Sequence, residues 1–191
     1  MNLNDKNELN VLGQAVVLCR AQAWQSHMMM HYYQRNRALL KLWEPTRSML
    51  YLFEASWRKL LKEREQLSLN KQSAHWVILS PQELQVIGCI NLARLPFSLP
   101  TLNLGYSMDQ DWQRRGIMSH VLDLVVEDAF SELEISEVEA SCLPENTASQ
   151  QILKRLGFTQ RIKEHGYRTY DINGISRKHM CFHKAKYRLS S

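Results

Sequence analysis

The sequence predicts a mixed α/β (α+β) fold, in which a twisted sheet of about seven strands carries helices on both faces. Short segments rich in β-branched, aromatic and other apolar residues recur along the chain between turn signals, as strands do. One pair of amphipathic helices precedes a predicted strand hairpin, and two single helices follow it. Helices spaced in this way around strands pack on the two faces of a shared sheet.

The first third of the chain predicts one strand and two helices. Residues 1–10 are polar, and we expect a loose leader there. Residues 15–19 predict the first strand, and residues 22–36 contain strong helix formers with a partly apolar surface. Pro45 ends this region because proline disfavours helical geometry in the residue before it. A second helix, with apolar residues at amphipathic spacing, follows around residues 53–61.

The middle of the chain predicts a hairpin and then a strand that leads into a polar turn. Residues 76–79 and 84–92 predict two strands joined across residues 80–83, where a proline suits the fixed φ of a turn. Residues 95–100 contain two prolines and predict a loop. Residues 101–108 predict the next strand, which ends at an Asp-Gln-Asp turn.

A long helix follows that turn. Ile117, Val121, Leu124 and Val125 have the spacing of one helical face, so we expect the helix to begin near Gly116. The first N–H groups of a helix have no partner inside it and lie at the positive end of its dipole.

The segment Gln113-Arg114-Arg115-Gly116-Ile117-Met118 leads onto these N–H groups. Glycine has no Cβ to block a ligand, and the two arginines add positive charge, so a pyrophosphate fits this helix end. The alternative is an ordinary strand-turn-helix connection with solvated arginines.

The last third of the chain predicts a strand, a short helix and a final hairpin. Residues 138–143 predict the strand, and residues 146–156 the helix, which ends at Gly157. Residues 167–172 and 175–183 predict a hairpin across an Asn-Gly turn. Asn146 suits the cap of the short helix, and Ser149 follows three residues later, so both can face the same side. Without a second motif, these residues are a cap and a surface serine.

Two motifs resemble those of one enzyme family. The QRRGIM segment at 113–118 resembles the Q/R-x-x-G-x-G/A acetyl-CoA loop of the GNAT N-acetyltransferases, with Met118 where most members have glycine or alanine. Residues 146–158 resemble the GNAT pattern N-x-x-A/S-x-x-L-Y-x-K-x-G-F. From about residue 14 to 186 the chain is similar to the Rim branch, the bacterial ribosomal-protein N-acetyltransferases that act on alanine. The resemblance implies the GNAT fold, with a V-shaped splay between the central strands.

The resemblance also implies acetyl-CoA as cosubstrate and a set of site residues. Most of the implied cofactor-binding residues lie in the strand and loop before the long helix, and two lie in the short helix: Tyr106, Ser107, Met108, Gln113, Arg114, Arg115, Gly116, Ile117, Met118, Asn146 and Ser149. Many relatives have a tyrosine at the position of Leu153 that protonates the departing thiolate. Leucine cannot do so, and Ser149 becomes the candidate donor.

The acceptor side is implied by the same resemblance. Trp43 and Tyr170 are candidate substrate contacts, and Glu44 is a candidate base and contact. Some relatives have a general-base glutamate where this chain has Tyr170. An α-amine has a pKa near 7.8, so its deprotonation at pH 7 costs about 1 kcal/mol, against roughly 4.6 kcal/mol for lysine. The chain therefore favours the N-terminal amine of a ribosomal protein. The alternatives are a small-molecule amine acetyltransferase and a non-catalytic ribosome-binding or RNA-binding module.

Composition sets limits on the remaining function classes. The chain has 191 residues and a net charge of +5, and it suits one globular domain. Acidic residues interrupt the basic ones, which makes no strong case for direct nucleic-acid binding. Four separated cysteines and the absence of a long apolar run predict a cytoplasmic protein with reduced thiols and no membrane association. The histidine spacing predicts no metal site, and we expect a monomer or weak dimer.

Overall fold

The structure is a computed structural model that describes residues 6–80, 85–94, 101–133, 135–162 and 166–186. Within these ranges the chain forms nine β-strands in one mixed sheet and five α-helices. The strands are β1 (Asn7–Val11), β2 (Gln14–Arg20), β3 (Ser73–Ser80), β4 (Gln85–Arg94), β5 (Thr101–Met108), β6 (Glu137–Cys142), β7 (Thr159–Gln160), β8 (Tyr167–Ile172) and β9 (Ile175–Ala185). The helices are α1 (Ser26–Arg35), α2 (Arg37–Trp43), α3 (Glu54–Leu69), α4 (Ile117–Glu132) and α5 (Thr147–Arg155).

The sheet has the strand order β1-β2-β3-β4-β5-β6-β9-β7, and β8 also pairs with β9. Strands β1 to β5 are antiparallel to their neighbours, whereas β5 and β6 are parallel. The β5–β6 register runs only from Thr101 opposite Glu137 to Leu104 opposite Ala140. In the described part of the chain, the rest of β5 pairs with β4 alone. The sheet therefore opens between β5 and β6, which is the predicted V-shaped splay.

Alternation along the strands produces two hydrophobic cores, because successive side chains of a strand point to opposite faces. Leu18 and Ile78 belong to the core that α4 covers, together with Val121. Val17 and Val77 point the other way, into the core that α1, α2 and α3 cover. Helices therefore lie on both faces, and the predicted fold class is confirmed.

The expectation of a loose leader was wrong for residues 7–10. Asn7–Val11 form β1, which pairs with β2 along its whole length. Leu9 packs against the core, and Val11 is buried in it. The polar residues Glu8 and Asn10, which alternate with Leu9 and Val11, are exposed and hid this alternation in the composition. The short strand β7 was also not predicted.

Most other elements agree with their predictions to within a few residues, but α3 continues to Leu69, past the predicted stretch around residues 53–61. Helix α4 begins at Ile117 after Gly116, and Thr101–Met108 has the predicted bounds. The first predicted helix ends at Asn36 as expected, and the φ of −95° and ψ of 8° at this residue separate α1 from α2, a helix that was not predicted. The predicted turn at residues 80–83, apart from Ser80, and the predicted loop at residues 95–100 lie outside the described residues. Among the described helices, none is long and apolar enough to cross a membrane.

Candidate active site

The opening between β5 and β6 brings the two sequence motifs together. The edge of β5 that faces away from β4 is unpaired beyond Leu104 in the described part of the chain. The loop after β5 leads to the N-terminus of α4, and the loop after β6 leads to α5. A free strand edge with a helix N-terminus beside it can pair with an extended amide-bearing ligand and bind its anionic end.

The loop before α4 has the backbone of an anion site. Gly116 is the N-cap of α4 and has a φ of +75°. Arg114 also has a left-handed φ, of +61°. Main-chain N–H groups in such alternating conformations converge on an anion. The first helical turn closes where the His120 N–H donates to the Gly116 carbonyl at 3.1 Å, so the preceding N–H groups face outward.

Two side chains of this loop brace it. Gln113 Nε2 donates to the Met108 carbonyl at 3.1 Å. Arg115 donates to the Asp111 carbonyl at 2.7 Å, and its guanidinium lies 4.7 Å from the Trp112 ring centroid. Both arginines had been expected to add charge for a phosphate, but Arg115 is occupied in holding the turn.

The remaining loop residues divide into one exposed cation and two core residues. Arg114 is exposed, and its side chain makes no hydrogen bond or ion pair with the described residues. Ile117 and Met118 are buried against the sheet, so only their main-chain N–H groups can reach a ligand. The arginine that remains free for a phosphate is therefore Arg114.

The β1–β2 hairpin supports the same loop, a contact that the sequence did not reveal. Leu12, at the tip of the hairpin, lies so close to Gly116 that a Cβ there would be 2.9 Å from Leu12 Cδ1. Arg115 donates to Gln14 Oε1 at 3.2 Å. The turn and second strand of this hairpin therefore contribute to the wall beside the predicted phosphate site.

A buried carboxylate joins the start of the loop to α1. Asp109 accepts hydrogen bonds from Arg35 Nε at 2.7 Å and from Asn36 Nδ2 at 2.9 Å. Asn36 Oδ1 in turn accepts from the Gln110 N–H at 3.2 Å. Burial works to raise the pKa of the Asp109 carboxyl, but the hydrogen bonds from Asn36 and Arg35 outweigh it and keep this pKa below its usual value.

The first turn of α5 lies across the opening from β5. Asn146 is the N-cap, and its Oδ1 accepts the Ser149 N–H at 3.1 Å, as its residue type predicted. The Tyr106 hydroxyl oxygen lies 2.8 Å from Ser149 Oγ and 3.3 Å from the Ser149 carbonyl oxygen, within hydrogen-bond distance of both. Burial raises the pKa of Tyr106, against the effect of the hydrogen bond to Ser149. Leu153, one turn later, is buried in the core.

Ser107 points to the opposite face of β5. Its Oγ accepts a hydrogen bond of 2.9 Å from the Tyr32 hydroxyl of α1 and lies 3.2 Å from Cys89 Sγ on β4. Burial raises the pKa values of Tyr32 and Cys89, so both groups stay protonated. Tyr106 and Ser107 therefore line different sides of the opening, and the second side faces α1.

The candidate acceptor residues Trp43 and Glu44 lie near that second side, at the C-terminal end of α2. Glu44 Oε2 accepts from Arg47 Nε at 3.1 Å. Burial raises the pKa of Tyr33, and the charge of Glu44 adds to this rise. Trp43 is 36% exposed. The structure does not bring Glu44 into hydrogen-bond contact with Tyr106 or Ser149.

Tyr170, the third acceptor candidate, lies on the β6 side of the opening. Its hydroxyl accepts from Ser141 Oγ at 3.3 Å, and Ser141 follows the last residue of β6 that pairs with β5. The ring of His179 packs edge-on against that of Tyr170, with centroids 4.7 Å apart. Burial lowers the pKa of His179, which favours its neutral form.

A hydrogen-bonded link joins the loop after α2 to the β8–β9 turn. Thr46 donates to Asp171 from both its side chain, at 2.6 Å, and its main chain, at 3.0 Å. The Asn173 N–H donates to Thr46 Oγ1 at 2.7 Å, and Asn173 Nδ2 donates to the Lys41 carbonyl at 2.8 Å. The Asn-Gly turn was predicted from the sequence, whereas this link was not.

The acidic residues on the same face of β6 are paired with cations. Glu139 accepts from Arg161 Nε at 2.8 Å and also from Arg168. Glu137 accepts from Arg161 and lies 3.0 Å from His183 Nδ1. The described residues contain no group of three or more side chains that could hold a metal ion. The site therefore offers hydroxyls, amides and paired charges.

Comparison with known proteins identifies the family. The family model of the acetyltransferase (GNAT) domain matches residues 19–159. The chain belongs to the GNAT acetyltransferase family. The recognition made from the QRRGIM loop and the Asn146 helix is thereby confirmed, and so is the assignment of the chain as an acyltransferase.

The chain is similar to individual members of this family that act on ribosomal proteins or bear the Rim name. The chain is 30% identical over 128 residues to the [ribosomal protein uS5]-alanine N-acetyltransferase of Escherichia coli (strain K12), and the matched region is 66% of each chain. The ribosomal-protein-S5-alanine acetyltransferase of Vibrio fischeri has a similar fold, with a TM-score of 0.85 at 23% identity over 95% of this chain and 96% of that one. RimJ of Mycobacterium smegmatis, in complex with CoA-disulfide, matches with a TM-score of 0.81 at 18% identity over 98% of this chain and 90% of that one.

Proposed function

We propose that the protein transfers the acetyl group of acetyl-CoA to the N-terminal α-amine of a ribosomal protein, with alanine as the favoured first residue. The opening between β5 and β6 carries the proposal, because an unpaired strand edge, a helix N-terminus and the hydroxyl of Ser149 converge on it. The ribosomal-protein acetyltransferases among the relatives support the acceptor class. Such an acceptor implies a cytoplasmic enzyme.

The residues around the opening fit acetyl-CoA. The N–H groups of Gly116, Ile117 and Met118 would bind the pyrophosphate, with Arg114 as the free cation beside them. The pantetheine amides would pair with the β5 edge along Ser107 and Met108, as an added strand does. The crystallised relative that carries CoA-disulfide on the same fold supports this assignment.

Direct transfer in a ternary complex suits these groups. The amine attacks the thioester carbonyl, and Ser149 donates a hydrogen bond to the sulfur as the C–S bond breaks. Deprotonation of an α-amine at pH 7 costs only about 1 kcal/mol, so water or Glu44 suffices as the proton acceptor. No step requires a metal ion.

Paired charges on the acceptor side favour a terminal amine over a polycation. Glu44 is held by Arg47, and Glu139 is held by two arginines. A polyamine or a lysine-rich acceptor binds best to unpaired carboxylates, because each paired one must first lose its partner. An N-terminal amine is partly neutral at pH 7 and does not need an unpaired carboxylate to bind it.

A matched pair of peptides tests the function. One peptide begins with alanine and contains internal lysines, and the second is identical but formylated at its terminus. We expect the free peptide to be acetylated at least about 10-fold faster, with Gly116→Asp as the control against contaminating acetyltransferase. Equal rates on the two peptides would contradict the proposal.

Two further measurements separate the two alternatives. Turnover of a polyamine in preference to the free peptide would indicate a small-molecule acetyltransferase. Failure to bind acetyl-CoA in calorimetry would indicate a non-catalytic module on the same fold.

A further inference from the structure

Tyr106 and Ser149 form a hydrogen-bonded pair across the opening. Tyr106 lies in the part of β5 that does not pair with β6, and Ser149 lies in the first turn of α5. Their hydroxyl oxygens are 2.8 Å apart, and the Tyr106 hydroxyl is also 3.3 Å from the Ser149 carbonyl. The main chain of Ser149 is fixed independently, because its N–H donates to Asn146 Oδ1. The serine is thus held from two sides.

Counting hydrogens limits what the pair can do. Each hydroxyl has one hydrogen to donate. If Tyr106 donates to the Ser149 carbonyl, the serine hydrogen points at the tyrosine oxygen and is unavailable to a ligand. If Tyr106 donates to Ser149 Oγ, the serine hydrogen is free to point into the opening. Only the second arrangement allows Ser149 to donate to a sulfur.

The Tyr106 hydroxyl is suited to remain a hydrogen-bond donor throughout the neutral pH range. Burial raises the pKa of Tyr106 well above its ordinary value, so the phenol keeps its hydrogen throughout the neutral range. A donor hydrogen bond from the phenol also polarises the serine hydroxyl and makes it a better donor in turn. The same high proton affinity makes Tyr106 a poor source of a transferred proton.

We propose that Tyr106 is a positioning residue, whose hydroxyl donates to Ser149 Oγ and so directs the serine hydrogen at the thioester sulfur. This inference rests on the function proposed above and assigns how its donor is oriented. During transfer the N–C bond forms and the C–S bond breaks, with the electron pair left on sulfur. One amine proton ends on the thiolate through water, while Tyr106 and Ser149 finish with the hydrogens they began with.

The competing interpretation is that the hydrogen bond between the two residues only holds α5 against β5. Loss of such a purely structural bond would change the stability of the protein and its affinity for the cofactor. A positioning residue would change the rate of the chemical step, and its effect would disappear when Ser149 is absent. A double-mutant cycle separates these outcomes because coupled residues are not additive.

The cycle compares wild type, Tyr106→Phe, Ser149→Ala and the double variant in single-turnover acetyl transfer. Tyr106→Phe keeps the ring and should lower the rate roughly 3- to 10-fold, the effect of one hydrogen bond, with acetyl-CoA affinity unchanged. The double variant should match Ser149→Ala. Tyr167→Phe is the control, because Tyr167 is an exposed tyrosine of β8.

Several results would overturn the inference. An unchanged rate in Tyr106→Phe, a weakened acetyl-CoA affinity as its main effect, or independent rate losses in the double variant each reject positioning. If Tyr106→Phe does not fold, 3-fluorotyrosine at position 106 keeps the volume and strengthens the donor. The fluorinated protein must then differ in rate from the wild type. In the Ser149→Ala variant, the same fluorination must leave the rate unchanged. A wild-type protein that transfers no acetyl group to any amine rejects the proposed function itself, and this inference with it.

Discussion

Thr46 Oγ1 donates a hydrogen bond of 2.6 Å to Asp171 Oδ1, across 125 residues of chain. Thr46 follows α2, which packs with α1 and α3 over the β2–β4 half of the sheet. Asp171 belongs to β8, which pairs with β9 on the β6 side of the opening. The bond therefore bridges the two halves of the sheet that part between β5 and β6, on the side assigned to the acceptor.

Loss of this bridge should raise the KM for the acceptor peptide and leave the KM for acetyl-CoA unchanged. Thr46→Val is nearly isosteric and removes the hydroxyl that bonds both Asp171 and Asn173. We expect the KM for an alanine-starting peptide to rise roughly 3- to 10-fold, as for the loss of one or two exposed hydrogen bonds, with the acetyl-CoA KM unchanged. Thr169→Val, on the exposed face of β8, is the matched control. A peptide KM that stays at the wild-type value would show that the bridge does not shape the acceptor site.

Gly116 should tolerate an amide far better than a carboxylate. Its φ of +75° is within reach of both asparagine and aspartate, so the two substitutions share the same backbone cost. They differ in one charge, placed where the pyrophosphate is assigned. By calorimetry, Gly116→Asp should abolish acetyl-CoA binding, whereas Gly116→Asn should weaken it about 10-fold or less. Equal affinities of the two variants would show that the pyrophosphate does not bind at this loop.

Ser149→Ala should slow the chemical step without weakening cofactor binding. Loss of one donor to the developing thiolate costs about 10- to 1,000-fold in kcat, because the bond strengthens mainly in the transition state. Single-turnover measurements separate this step from product release. Ser131→Ala is the control, since Ser131 is exposed on α4 and bonds only a carbonyl of its own helix. Wild-type turnover in Ser149→Ala would assign the donor to another group.

Local features of the site were predictable from sequence. Gly116 and Asn146 begin their helices as predicted, because a left-handed glycine and an N-cap side chain act within one turn of the chain. Strand β5 has its predicted bounds because turn residues end it. Strand β1 was missed because only Leu9 and Val11 of its residues contribute apolar side chains to the core, and its partner strand decides its structure.

Contacts between distant segments were not predictable. Tyr106 and Ser149 were each assigned to the site by motif, but their bond joins residues separated by 43 positions and depends on how the sheet opens. The Thr46–Asp171 bridge likewise requires the packing of α2 against β8. The pairing of Glu44 with Arg47 is local, but it lies in a non-helical segment after α2, where the i,i+3 spacing rule of helices does not apply.

A buried histidine should make stability depend on pH. His75 is 6% exposed, and Nδ1 of its neutral ring donates to Asn91 Oδ1 at 2.9 Å. Burial lowers the pKa of His75 to about 4. An unfolded histidine titrates near 6.5, so between these values the unfolded chain binds more protons and stability falls as pH falls. The contribution is about 3 kcal/mol across that window.

Chemical denaturation at several pH values tests this dependence. His75→Gln should flatten the decline between pH 6.5 and pH 4, leaving the part due to other groups such as His179. His120→Gln, on the exposed side of α4, is the control. Identical slopes in the wild type and His75→Gln would show that His75 titrates alike in both states.

Mass spectrometry of ribosomal-protein N-termini tests the central claim most directly. The comparison uses cells of the source organism that carry the gene, lack it, or lack it and express either the wild type or Gly116→Asp. We predict that one ribosomal protein with an N-terminal alanine loses the mass of one acetyl group in the deletion. The wild type should restore it, and Gly116→Asp should not. Identical acetylation of every ribosomal-protein N-terminus with and without the gene would contradict the account.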